Sequence, residues 1–202
     1  MKLKVHPLAK ALIFDLDGTL SDSLQLHVAA WNKVADIYGF NFNPQIVYDM
    51  TGSPTIAFAR RIIDTYELEA DPEEIVKIKQ RSFWDSAELL QPIEQVLEIV
   101  KKYHNVLPMS VGTGACRKSA EVQLKTLRIY DYFDFIVTSD DVKDHKPEPE
   151  TFLKCARLMG THPSECQVFE DGDLGIEAAK TAGMIITDVR PVVRENNDGG
   201  VI

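Results

Sequence analysis

Two aspartates separated by one residue, Asp15 and Asp17, stand in the run Asp15-Leu16-Asp17-Gly18-Thr19-Leu20, directly after the apolar tetrad Ala11–Phe14. In extended chain, residues two apart share a face, so both carboxylates can reach one substrate. One can attack as a nucleophile and form an acyl phosphate. The other can protonate a leaving oxygen and then deprotonate water. Three more polar groups follow apolar runs: Gly112-Thr113-Gly114, then Asp140-Asp141 with Lys146-Pro147 shortly after, then Glu170-Asp171-Gly172-Asp173. Carboxylates in that number repel one another unless a cation lies between them, and oxygen ligands suit Mg²⁺. A lysine and a threonine beside the cation suit a phosphoryl group, whose oxygens need positive charge and hydrogen-bond donors.

The runs that precede these groups read as strands: Ala11–Phe14, Leu107–Val111, Phe135–Thr138, Gln167–Phe169 and Ile185–Thr187. Between the last four, apolar residues recur at helical spacing, as in Ala120, Leu124 and Leu127, or Phe152, Cys155, Ala156 and Met159 before Gly160. Strands alternating with helices imply right-handed crossovers and a doubly wound parallel α/β sheet covered on both faces. Ligands of such sheets bind beyond the carboxyl ends of the strands, where all four polar groups fall. One such group is ordinary turn and helix-cap chemistry; four on one rim are not explained by capping.

The first interval reads as helices only. Leu24, His27, Val28, Trp31, Val34, Ala35 and Tyr38 form a stripe stopped by Gly39, and Asp71-Pro72-Glu73-Glu74 is a helix start with cap, N1 proline and N3 glutamate. The spacing predicts an all-helical cap over residues 22–90, inserted into a core of residues 1–21 and 91–202, with Trp31 and Trp84 in the cap interior. The stretch from Arg190 to Ile202 lacks periodicity and is expected to fray.

The chain has 202 residues, 45% hydrophobic and 26% charged, with a net charge of −9. That acidity argues against nucleic acid and anionic membranes as partners, since both are bound by basic surfaces. Its apolar runs fall short of the ~20 residues a membrane span needs, and its first residues lack the pattern of a signal peptide. Three cysteines without a C-x-x-C pair read as free thiols of a cytoplasmic protein. A monomer is expected. Gly112–Ser119 approaches a P-loop, but Arg117 stands where the second glycine is required.

Asp15–Leu20 resembles the first motif of the haloacid dehalogenase superfamily, and Thr113, Lys146-Pro147 and Glu170-Asp171 are similar to its second, third and fourth motifs in order and spacing. The helical insert is similar to the cap of the β-phosphoglucomutase-like branch. Gly52-Ser53-Pro54-Thr55, Val111–Gly114, Asp144–Pro147 and Phe169–Asp171 most resemble bacterial sugar-phosphate phosphatases acting on fructose 1-phosphate and related compounds. The resemblance implies Asp15 as nucleophile and Mg²⁺ ligand. It implies Asp17 as acid/base and, through its backbone carbonyl, a metal ligand. Thr113 and the Gly114 N–H would hold the phosphoryl group, Lys146 would neutralise it, and Asp171 with Glu170 would complete the metal site. His27 lies where mutases of the branch carry a histidine aimed at the acid/base; the alternative is a partly buried cap-helix histidine. Gly52 marks the cap loop that touches substrate. Mutases of the branch carry an arginine three residues after this glycine to grip a second phosphate, and this chain has Thr55 there. Arg60, Arg61, Lys79 or Arg81 could supply that charge instead, and Asp140 could support Lys146. The expectation is a Mg²⁺-dependent phosphatase of small phosphorylated sugars. The alternatives are a β-phosphoglucomutase-type mutase and, from another class, a non-enzymatic receiver-like phospho-acceptor domain.

Overall fold

A computed structural model describes residues 2–192. Five parallel strands form one sheet: β1 (Ala11–Phe14), β2 (Met109–Gly112), β3 (Phe135–Val137), β4 (Cys166–Glu170) and β5 (Ile185–Asp188), in the order β3-β2-β1-β4-β5. The order reverses between β1 and β4, and a crevice opens at such a switch point. Strand alternation divides β1 between two cores: Leu12 and Phe14 face one layer with Val96, Val100, Ala120 and Leu124, while Ala11 and Ile13 face the other with Phe152, Ala156 and Ala178. The first layer is covered by α5 (Glu94–Tyr103) and α6 (Arg117–Thr126), the second by α7 (Glu150–Leu158) and α8 (Asp173–Thr181). β2 begins two residues later than its apolar run suggests. Leu107 N–H is taken by the Tyr103 carbonyl at the end of α5, and Pro108 has no N–H to give.

Between β1 and α5 lie only helices: α1 (Leu24–Tyr38), α2 (Gln45–Asp49), α3 (Thr55–Tyr66), α4 (Pro72–Asp85) and a short 3-10 turn at Ala87–Leu89. The α1 stripe buries Trp31 and Val34 against Val47, Phe58, Ala59, Ile62 and Ile75. Gly39 takes a φ of 76° at its C-cap, the left-handed conformation that favours glycine. The Asp71 carboxylate accepts the Glu73 N–H to start α4. The chain leaves and returns side by side, with Asp22 N–H donating to Gln91 O and Ile93 N–H to Leu20 O. A second apolar cluster, Ala30, Phe83, Ala87 and Leu90, meets Val122 and Leu127 from the α6 side. Trp84 bridges rather than fills the helical layer: its Nε1–H donates to Ser119 Oγ at 3.0 Å.

The expected fraying does not hold where the chain is described. Arg190 pairs with Asp188 and Asp173, and Val192 is buried in the core, because ion pairing and apolar burial hold a segment without periodicity. Residues 193–202 lie outside the described residues. Among the described residues no helix is long and apolar enough to cross a membrane. All three cysteines are free, and burial pushes the Cys155 and Cys166 thiols up to about 12 and about 11.

Candidate active site

In the sheet register Phe14 lies beside Val111 on one side and Phe169 on the other. The chain therefore carries Asp15, Thr113 and Glu170 out of neighbouring strand ends. Asp15 is buried, and its Oδ1 accepts from Lys146 Nζ at 2.6 Å. Lys146 also donates to Glu170 Oε2 at 2.8 Å, and Glu170 Oε1 accepts the Gly172 N–H at 2.9 Å. Asp171 Oδ1 accepts from Thr19 Oγ1 at 2.8 Å. Gly18, at φ 84°, leaves room for that carboxylate: a Cβ there would lie 2.1 Å from Asp171 Oδ2.

One oxygen each of Asp15, Glu170 and Asp171 lies within 4.8 Å of the others. Three carboxyl groups, two of them buried and Asp171 half-buried, thus gather about the Lys146 ammonium. Burial first, and Glu170 second, push Asp15 up to about 8 against the pull of Lys146. Burial, Glu170 and Asp15 likewise hold Asp171 well above the usual carboxylate range. Burial works against the Lys146 ammonium, but its two carboxylate partners prevail and raise it. Asp15 Oδ2 is buried without a hydrogen-bond partner among the described residues. An orphaned oxygen inside an excess of negative charge is what a divalent cation with oxygen ligands would relieve, so these residues fit Mg²⁺.

The Asp17 carboxylate turns away from this cluster. Its Oδ1 accepts from Ser23 Oγ at 2.6 Å, from His27 Nε2 at 2.7 Å and from Gln123 Nε2 at 2.9 Å. Ser23 occupies the N-cap of α1 but makes no side-chain cap there; its hydroxyl is directed to Asp17. Burial pushes Asp17 upward, but these three donors win and hold it below the usual range. His27 is lowered by burial and by Lys79, whose Nζ lies 2.6 Å from Nδ1. A neutral imidazole with its proton on Nε2 accepts from the ammonium on one side and donates to the carboxylate on the other. Burial lowers Lys79 to about 8, with Asp17 partly restoring it. Phe83 backs the pair, stacked on the His27 ring at 4.2 Å between centroids.

Thr113 is buried and its Oγ1 accepts the Ala115 N–H at 3.0 Å, leaving the hydroxyl hydrogen to donate elsewhere. Gly114 meets the cap loop: a Cβ there would sit 2.1 Å from Gly52 O. Gly52, at φ 96°, in turn lies over the Lys146 stem. Asp17, His27, Trp31, Thr55, Phe58 and Lys79 line a cavity of about 50 Å³ with Gly52 and Gly114. All the expected residues therefore converge, but in two groups. Asp15, Lys146, Glu170 and Asp171 form the charged group; Asp17, His27, Gly52 and Gly114 face the cavity, with Thr113 beside them.

Three expectations need correction. Asp140 does not support Lys146; it accepts the Arg117 N–H, since Asp15 and Glu170 already take the ammonium. Trp31 belongs to the helical core but also forms a cavity wall. Arg60, Arg61 and Arg81 are exposed and do not line the cavity, and Lys79 is engaged by His27 rather than free for a distant phosphate. Gln123, and the partnership of Lys79 with His27, escaped the sequence reading. Each carried a signal: Lys79 interrupts the apolar stripe Ile75–Phe83, and Gln123 sits on the Ala120–Leu127 stripe.

Known proteins resemble this chain over nearly its whole length. A fructose-1-phosphate phosphatase of Escherichia coli K12 (YqaB) is 42% identical over 181 residues, 89% of this chain and 95% of the relative. A phosphorylated carbohydrates phosphatase of Thermotoga maritima is 32% identical over 196 residues, 94% and 88% of the two chains. The crystal structure of a β-phosphoglucomutase from Clostridium difficile superposes with a TM-score of 0.77 at 25% identity, covering 95% of this chain and 98% of that one. The model of the haloacid dehalogenase-like hydrolase family matches residues 12–189, and the chain belongs to that family of enzymes.

Proposed function

We propose that the protein is a Mg²⁺-dependent phosphatase of small sugar phosphates that works through an aspartyl phosphate on Asp15. The observation that carries this reading is the different treatment of the two aspartates. Asp15 is ion-paired to Lys146 inside an acidic cluster, whereas the Asp17 carboxylate faces the cavity in the grip of three donors. The E. coli and Thermotoga relatives, named for sugar and carbohydrate phosphates, support the substrate class.

Asp15, Glu170, Asp171 and the Asp17 backbone carbonyl would hold Mg²⁺, which when bound screens the carboxylates from one another and from the phosphoryl oxygens. Asp15 attacks phosphorus as the bond from phosphorus to the sugar oxygen breaks. Binding of the anionic phosphate monoester raises Asp17 from the low range its donors impose in the free protein, and the protonated acid gives its proton to that oxygen. Water then attacks the acyl phosphate, its proton goes to Asp17, and the bond from phosphorus to the Asp15 oxygen breaks. Lys146, the Thr113 hydroxyl and the Gly114 N–H face charge that builds on the transferring group. Residues 22–90 act as a cap that excludes bulk water over the core.

Thr55 favours hydrolysis over mutase chemistry. Among the described residues Lys79 is the cavity's only cationic side chain, and it is spent on His27, so nothing grips a second phosphate there. The test is a panel of phosphate monoesters with and without Mg²⁺, followed by ³¹P NMR with β-glucose 1-phosphate and catalytic bisphosphate. Free phosphate is expected, dependent on Mg²⁺ and blocked by excess Ca²⁺, whose longer bonds and larger ligand number misplace the nucleophile. Full activity in chelator overturns the metal assignment; glucose 6-phosphate accumulating faster than phosphate overturns hydrolysis in favour of the mutase.

A further inference from the structure

Gln123 lies on the inward face of α6, between Ala120 and Leu127 on a stripe that otherwise packs into the sheet core, and it is fully buried. Its Nε2 reaches Asp17 Oδ1 at 2.9 Å, while its Oε1 is buried with no partner among the described residues. Packing alone does not account for such a side chain. An apolar residue of similar size would fill the space without leaving a carbonyl oxygen unsatisfied. Local rules broken inside a well-packed core point to function.

We infer that Gln123 is a positioning residue for the acid/base step, resting on the phosphatase reading above. Ser23 and His27, the other donors to Oδ1, both belong to the segment that opens α1. Among the described residues Gln123 alone ties the carboxylate to a helix packed on the sheet. A carboxylate oxygen has lone pairs for about two donors, so three donors leave Oδ1 no capacity for a proton. The catalytic proton therefore resides on Oδ2, and the amide of Gln123 helps fix the carboxyl plane that aims Oδ2 at the leaving oxygen. Without Gln123 the carboxylate keeps two donors on one side and gains a rotation.

The test compares Gln123→Met and Gln123→Asn on fructose 1-phosphate and on p-nitrophenyl phosphate, with thermal melts of each variant. Methionine keeps the volume and removes the orphaned oxygen. Asparagine keeps a buried amide but cannot span the distance to Asp17. A positioning role is expected to lower kcat/KM for the sugar phosphate by roughly 10- to 100-fold in both variants, as loss of a hydrogen bond to a charged group would. On the aryl ester, whose leaving group needs little help from an acid, the loss should be several times smaller. Tm should fall for the asparagine variant and hold or rise for the methionine variant, so activity and stability part company. If activity instead tracks Tm across the pair, or both esters slow equally, Gln123 is only a packing residue and the inference fails. If wild-type protein hydrolyses neither ester, the phosphatase reading falls and takes this inference with it.

Discussion

Replacing Gly114 with alanine tests whether seating the cap loop on the core is what makes the site competent. The substitution is clean. Gly114 is not in the left-handed region, so alanine adopts its backbone without strain, and the one consequence is the added Cβ. That atom would lie 2.1 Å from Gly52 O, 2.7 Å from Gly52 C and 3.0 Å from Ser53 O. Carbon and carbonyl oxygen tolerate about 3.3 Å, so the loop has to withdraw by about 1 Å. Both contacting groups are backbone, so no rotamer change absorbs the clash. Gly52 lies over the Lys146 stem, and its loop carries Thr51, Ser53 and Thr55 into the cavity wall. A displacement of about 1 Å between substrate and catalytic groups costs on the order of 100-fold in rate. The sheet core is untouched, and a loss of about 1 kcal/mol from loop contacts lowers Tm by only about 2–4 °C in a chain of this size. Phosphate release under steady-state conditions gives kcat and KM, calorimetry gives Tm, and amide exchange over residues 50–54 reports the loop. The expected result is kcat down about 100-fold, a small Tm change and faster exchange in the loop. A kcat within about threefold of wild type would refute the claim that this contact sets the catalytic geometry.

Asp15→Asn is expected to abolish turnover, measured as phosphate release, while circular dichroism stays native: the amide matches the carboxylate in size but cannot form an acyl phosphate. More than a few per cent of the wild-type rate would remove Asp15 from the nucleophile's role. Lys146→Ala is expected to lower kcat roughly 10²–10³-fold with a smaller effect on KM, since the ammonium faces charge on the transferring group; a change confined to KM would place Lys146 in uniform binding instead. Lys146→Ala should also lower Tm in chelator, because Asp15 and Glu170 lose the one cation between them.

Much of this protein was legible in its sequence because the signals are local. A continuous apolar run marks β1, helical spacing marks α1 and α5–α8, and Asp71-Pro72 marks the start of α4. Once the strands are taken as parallel, position after a strand is enough to bring Asp15, Thr113, Lys146, Glu170 and Asp171 to one rim. The short helix α2 was not legible. It has too few residues to show a period, and an Asn43 side chain bonded to the Gln45 N–H starts it. Nor was the internal wiring of the site. Lys79 meets His27 across 52 positions, and Gln123 meets Asp17 across 106. A lysine or a glutamine on an apolar stripe shows that something polar waits opposite, but not what. The partner is chosen by how the helical layer and α6 pack around Asp17, and that packing joins residues whose spacing along the chain carries no period. Tertiary structure alone also decided that Lys146 is shared by Asp15 and Glu170 while Asp140 turns to the start of α6. A buried ammonium takes the carboxylates that share its burial, and burial belongs to the folded chain.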